Sequence, residues 1–165
     1  MDGFPAGRWQ ARWIWCEAPR IGMRGLRFEA ESPEAVQATV LLRRSINLTA
    51  IPARVPARMT ADGRYVLFVN ETEVCRGPIR AGAGRLFADE IDLAPQLRIG
   101  HNVIAVMARH PGHPTPWWAP FPATLQLGAG GFVFEARLDE RHTLVSDAGW
   151  RALRCHAFDG QPPRG

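Results

Sequence analysis

The stretch Thr60-Ala61-Asp62-Gly63-Arg64-Tyr65-Val66-Leu67-Phe68-Val69-Asn70 decides the fold class. Its Asp-Gly pair lies between two β-prone runs, and that dipeptide suits tight hairpin turns because it tolerates positive φ. The stretch therefore predicts a β-hairpin centred on Asp62-Gly63. Just beyond it, Asn70-Glu71-Thr72 predicts a second turn, and a short strand then runs into Gly77-Pro78-Ile79-Arg80.

Outward from this point the same grammar repeats. Short β-prone runs divided by Gly, Pro, Asp and Asn predict strands at 12–16, 26–30, 39–48, 54–61, 64–70, 73–76, 86–93, 102–109, 123–127, 132–138 and 150–154. One helix start is visible, Ser32-Pro33-Glu34, good for one or two turns. In 54–61 and 132–138 apolar and polar residues alternate, which predicts strands with one wet face. Tyr65-Val66-Leu67-Phe68-Val69 and Val103-Ile104-Ala105-Val106-Met107 are apolar on both faces, which predicts central strands covered on both sides. The fold expected is all-β, a two-sheet antiparallel sandwich or jelly roll. Residues 1–8 read as a loose N-terminus, 9–158 as the sandwich, and 159–165 as the start of a linker to a further domain.

Composition narrows the function. With 46% hydrophobic and 22% charged residues in 165, the chain is an ordinary folded domain. Its net charge is +4, yet all 20 basic residues are Arg and they are scattered rather than striped, so a nucleic-acid partner is not expected. No signal peptide or membrane-length apolar run is visible. Cys16, Cys75 and Cys155 are odd in number and widely spaced, which suits a reducing compartment, so a cytoplasmic location is expected. The sequons Asn47-Leu48-Thr49 and Asn70-Glu71-Thr72 then read as chance matches.

Three stretches invite chemistry. Asp89, Glu90 and Asp92 carry oxygens of the kind Ca²⁺ takes, but a strand puts Glu90 and Asp92 on one face and Asp89 on the other, which favours solvated carboxylates. The segment His110-Pro111-Gly112-His113-Pro114-Thr115-Pro116-Trp117-Trp118 is a stiff proline-rich loop with two adjacent indoles. Such faces stack on the apolar side of sugar rings, or else plug the end of a sandwich. His110 and His113 lack further ligands at zinc spacing. Neither a GxSxG elbow nor an HExxH pair is present, and a Walker loop is impossible without Lys. No cofactor and no catalytic centre are expected.

The ordered motifs resemble the N-terminal part of bacterial α-L-rhamnosidases. Trp13-Ile14-Trp15, Leu42-Arg43-Arg44-Ser45-Ile46, the stretch 60–70, Arg76-Gly77-Pro78-Ile79-Arg80, Asp89-Glu90-Ile91-Asp92-Leu93, 97–106 and Ser146-Asp147-Ala148-Gly149-Trp150-Arg151 carry the resemblance from about residue 9 to 158. It implies a galactose-binding-like jelly roll ahead of an (α/α)₆ catalytic barrel that holds the catalytic acids, with the N-terminal domain packed on that barrel. In some members a related sandwich binds rhamnose with Ca²⁺. Two departures are Asn70-Glu71 in place of the usual Asn-Gly turn and Arg109-His110-Pro111-Gly112-His113 in place of Gly-x-Gly-Trp. The expected function is a non-catalytic accessory domain of a rhamnosidase-like glycoside hydrolase. Its partners are the downstream barrel and a rhamnose-containing glycan, which Trp117 and Trp118 would stack on and Arg80, Asp89, Asn102 and His110 would hydrogen-bond. A free-standing carbohydrate-binding module and the sandwich of a β-galactosidase-type enzyme are the alternatives.

Overall fold

The structure is a computed structural model and describes residue 4 and residues 8–16, 38–79, 86–110 and 130–158. These contain nine strands: β1 (Ala38–Leu48), β2 (Pro56–Asp62), β3 (Arg64–Val69), β4 (Thr72–Gly77), β5 (Asp89–Asp92), β6 (Gly100–His110), β7 (Gly131–Arg137), β8 (Thr143–Val145) and β9 (Arg151–Arg154). Two single 3-10 turns, Ala94–Gln96 and His156–Phe158, complete them. Strands expected at 26–30 and 123–127, and the helix start at Ser32, lie outside the described residues.

The strands form two antiparallel sheets, one ordered β4-β3-β6-β1-β9 and the other β5-β2-β7-β8. They pack face to face, so the all-β sandwich is as expected. Val40, Leu42, Leu67, Ile104 and Val106 from the larger sheet meet Met59, Ala61, Phe132, Phe134 and Ala136 from the smaller. Burying a phenylalanine such as Phe132 contributes about 1.5–3 kcal/mol. Trp150 closes one end, its ring 5.6 Å from that of Phe134 and its indole N–H donating to the Val145 carbonyl at 2.9 Å.

The Asp62-Gly63 pair is not a hairpin. β2 ends at Asp62 in one sheet and β3 begins at Arg64 in the other, so Gly63 alone turns the chain between sheets. It does so at φ +116°, and a side chain there would run into the Arg109 carbonyl. Positive φ, the property that makes Asp-Gly a hairpin signal, serves equally well at a sharp inter-sheet corner. The tight hairpin is the next turn, β3–β4, where Asn70 and Glu71 both take positive φ, 48° and 71°.

The outer faces also depart from expectation, each in the opposite direction. β2 and β7 were expected to be wet on one side, yet Arg58, Thr60, Val133 and Glu135 on that side are 2–4% exposed. A strap of residues 8–16 covers them. Ile14 and Phe132 exchange backbone hydrogen bonds, Arg12 N–H donates to the Ser146 carbonyl, and the Ser146 hydroxyl donates to the Arg12 carbonyl. The segment expected as a strand at 12–16 thus makes one isolated bridge. Beneath the strap the Arg58 guanidinium bonds Glu135 at 2.6 Å and lies over the rings of Trp9 and Phe4. Conversely, β6 was expected to be covered on both sides, but Val103, Ala105 and Met107 on its outer face remain partly exposed.

Candidate functional site

At the edge where β3, β4 and β6 approach β5, a depression of ≈ 640 Å³ opens, lined by Arg64, Tyr65, Val66, Arg76, Gly77, Pro78, Ile79, Asp89, Met107 and Arg109. The motif Gly77-Pro78-Ile79 forms one wall. Gly77 is needed there because any side chain would overlap the Asp89 carboxylate and the Tyr65 hydroxyl. Those two groups meet across the sheets: Tyr65 Oη donates to Asp89 Oδ2 at 2.5 Å. Burial, with the hydrogen bond to Asp89, pushes the Tyr65 phenol well above its ordinary range. Cys75 lies 3.9 Å from the same hydroxyl, and burial raises its thiol as well. Three guanidiniums, Arg64, Arg76 and Arg109, stand around the rim, with Arg76 held by Glu73 at 2.6 Å.

This arrangement supplies donors and an acceptor for hydroxyl groups. Hydrolysis of a glycoside needs two carboxyl groups flanking the bond. Asp89 is the single carboxylate among the described lining residues. A second depression, ≈ 330 Å³, lies beside Arg43, Arg44, Ser45, Gly149 and Arg151. There Arg44 is 3.5 Å from Asp147, whose carboxylate also accepts from the Gly149 N–H.

The candidate residues separate into three groups. Asp89 lines the larger depression. Asn102 is fully buried, its Oδ1 accepting from Asn70 Nδ2 and Arg98 N and its Nδ2 donating to the Arg98 and Gly100 carbonyls. Its amide holds the turn into β6. His110 is also fully buried, with Nε2 3.6 Å from the Asp62 carboxylate. Arg80, Trp117 and Trp118 lie outside the described residues. Ile79, the residue before Arg80 in the sequence, and Arg109 both line the larger depression.

The acidic trio behaves as strand geometry requires. Asp89 faces inward to Tyr65, Glu90 lies opposite Arg58 on the outer side, and Asp92 caps a turn, accepting from the N–H groups of Val55 (2.8 Å) and Ala94 (3.1 Å). Those bonds, the Val55 one first, hold the Asp92 carboxyl below the usual range. Among the described residues no three His, Cys, Asp or Glu side chains gather as metal ligands. No described helix is long and apolar enough to cross a membrane. Sequence reasoning missed Tyr65 and Gly77 as a matched pair with Asp89. The available signal was a glycine ending a strand just before a proline.

A solved structure of a GH78 family rhamnosidase from Bacillus sp. GL1 superposes with a TM-score of 0.65 and 32% sequence identity, over 90% of this chain and 14% of that one. Over that span the chain is similar to part of a GH78 rhamnosidase. An α-L-rhamnosidase from Streptomyces avermitilis, solved in complex with L-rhamnose, matches with a TM-score of 0.51 at 22% identity over 95% of this chain and 15% of that one. One from Aspergillus terreus matches with a TM-score of 0.50 at 16% identity over 70% and 14%. These two likenesses concern the fold. No family model and no curated protein matches. The chain spans about one seventh of the solved chains it resembles.

Proposed function

We propose that this chain is the N-terminal, non-catalytic accessory domain of an α-L-rhamnosidase-like glycoside hydrolase, with the catalytic acids in an (α/α)₆ barrel elsewhere in the polypeptide. The observation that carries this is the 32% identity across 90% of the chain to a rhamnosidase of which it makes up 14%. A galactose-binding-like jelly roll is the form of sandwich that goes with this reading.

In this reading the larger depression is the sugar-contacting edge. Asp89 would accept from a hydroxyl on the oxygen not taken by Tyr65, Arg80 would donate, and Trp117 and Trp118 would stack on the ring of a rhamnose-containing glycan. A cytoplasmic setting suits three cysteines, Cys16, Cys75 and Cys155, odd in number and far apart in the sequence. The test is an NMR titration of the 165-residue chain with L-rhamnose, with and without Ca²⁺, beside an aryl-rhamnoside assay. Shifts at the Trp117 and Trp118 indoles with no turnover are expected. Turnover by this chain overturns the non-catalytic assignment, and unmoved indoles remove the sugar contact.

A further inference from the structure

The two outer faces of the sandwich are treated in opposite ways. The chain's own strap closes the four-stranded sheet. Across the five-stranded sheet, strand register aligns Val66, Met107, Leu41 and Leu153 in one row over β3, β6, β1 and β9. Leu41 is 38% and Leu153 64% exposed, on a sheet whose two central strands are apolar on both faces.

On either side of this apolar row stand two arginines in direct register, Arg64 opposite Arg109 and Arg43 opposite Arg151. Like charges directly opposite on neighbouring strands repel. All four are exposed, and none has a carboxylate partner among the described residues. The two depressions lie at these same pairs, the larger beside Arg64 and Arg109, the smaller beside Arg43 and Arg151. An apolar stripe between two repelling cation pairs is complementary to an apolar ridge flanked by carboxylates. A second copy of this face would set arginine against arginine.

We propose that the outer face of the five-stranded sheet is the surface on which this domain seats against an acidic, amphipathic protein surface in the remainder of its own polypeptide. This rests on the accessory-domain reading above, and it covers Val66, Met107, Arg64 and Arg109 of the larger depression, so seating on this face and a sugar in that depression exclude one another. Hydroxyl-radical footprinting of the polypeptide as the gene encodes it, beside the 165-residue chain, tests it. Labelling of Met107, Leu41 and Leu153 is expected to fall about fivefold or more in the longer polypeptide, as for residues at the dry centre of an interface. Ile51 and Ile99, exposed and away from the row, serve as unchanged controls. The double variant Arg43→Glu/Arg151→Glu should restore the labelling while leaving the melting of the 165-residue chain unchanged. Equal labelling in a polypeptide that does carry a further domain overturns the docking face and leaves the accessory-domain reading intact. A polypeptide with no further domain overturns both. Protection that grows with the concentration of the 165-residue chain alone assigns the face to self-association and overturns the proposal.

Discussion

Tyr65 and Asp89 join the two sheets at their shared edge: a phenol from β3 donates to a carboxylate from β5 at 2.5 Å, over a glycine that leaves them room. Tyr65 is the only tyrosine in the chain, so absorbance at the tyrosinate band reads this contact alone. Its phenol lies above the unfolded value of about 10, through burial first and Asp89 second. A raised pKa means the stability is fully present below about pH 10 and is lost as pH rises beyond it. Spectrophotometric titration should therefore show tyrosinate appearing only together with loss of the fold. Tyr65→Phe should cost about 1.5–3 kcal/mol in urea unfolding, as for a hydrogen bond to a charged group, and Gly77→Ala should cost at least as much.

The Arg58–Glu135 pair is the anchor of the strap. Glu135 Oε1 takes the guanidinium and Oε2 the N–H groups of Gln10 (2.9 Å) and Ala11 (3.3 Å), while Arg58 also donates to the Arg8 carbonyl. Removing one partner strands a buried charge. Glu135→Leu should cost about 3–5 kcal/mol, and the double replacement Arg58→Met/Glu135→Leu distinctly less. Limited proteolysis should cut within 8–16 faster in the single variant than in the parent.

Glu71 carries a side chain in the left-handed region, at φ 71°, within the β3–β4 hairpin. That conformation costs a non-glycine residue about 1–2 kcal/mol. Glu71→Gly restores the Asn-Gly pair that such turns favour. It should add about 1 kcal/mol of stability, read as a higher urea midpoint, allowing for the greater freedom of glycine in the unfolded chain.

His110 resists protonation in the folded chain because it is buried, although Asp62 pulls the other way. Its unfolded counterpart titrates near about 6.5. As pH falls below that value the unfolded chain takes up a proton that the fold refuses, so stability declines towards acid. The slope from one proton is at most about 1.4 kcal/mol per pH unit. Thermal melts of the parent between pH 7 and 5 should fall more steeply than those of His110→Gln. Parallel curves would show that another group sets the acid limb.

The fold class was legible because strand periodicity is a local signal. β1 and β6 were placed within two residues of their observed ends by their apolar runs and flanking turns. The corner at Gly63 was not legible, because positive φ is a property of one residue, whereas hairpin and corner differ only in which strands pair afterwards. The inversion of the outer faces has a similar origin. What covers Glu135 comes from residues 125 positions away, and no pattern within β7 records it. Of the residues singled out for a site, Asp89 lines the larger depression, whereas Asn102 and His110 lie fully buried. An asparagine after a glycine turn reads the same whether its amide meets a ligand or its own backbone.

The strap has a consequence for biosynthesis. Gln10, Ala11 and Arg12 bond to groups on Glu135 and Ser146, at separations of up to 134 residues. They find no seat until β7 and β8 have left the ribosome. Until then Trp9, Trp13 and Trp15 stand uncovered on a growing chain, next to strand edges that still lack their neighbours. Slow elongation through 100–146 would lengthen that window, and a holdase that shelters aromatic segments would shorten the risk it carries.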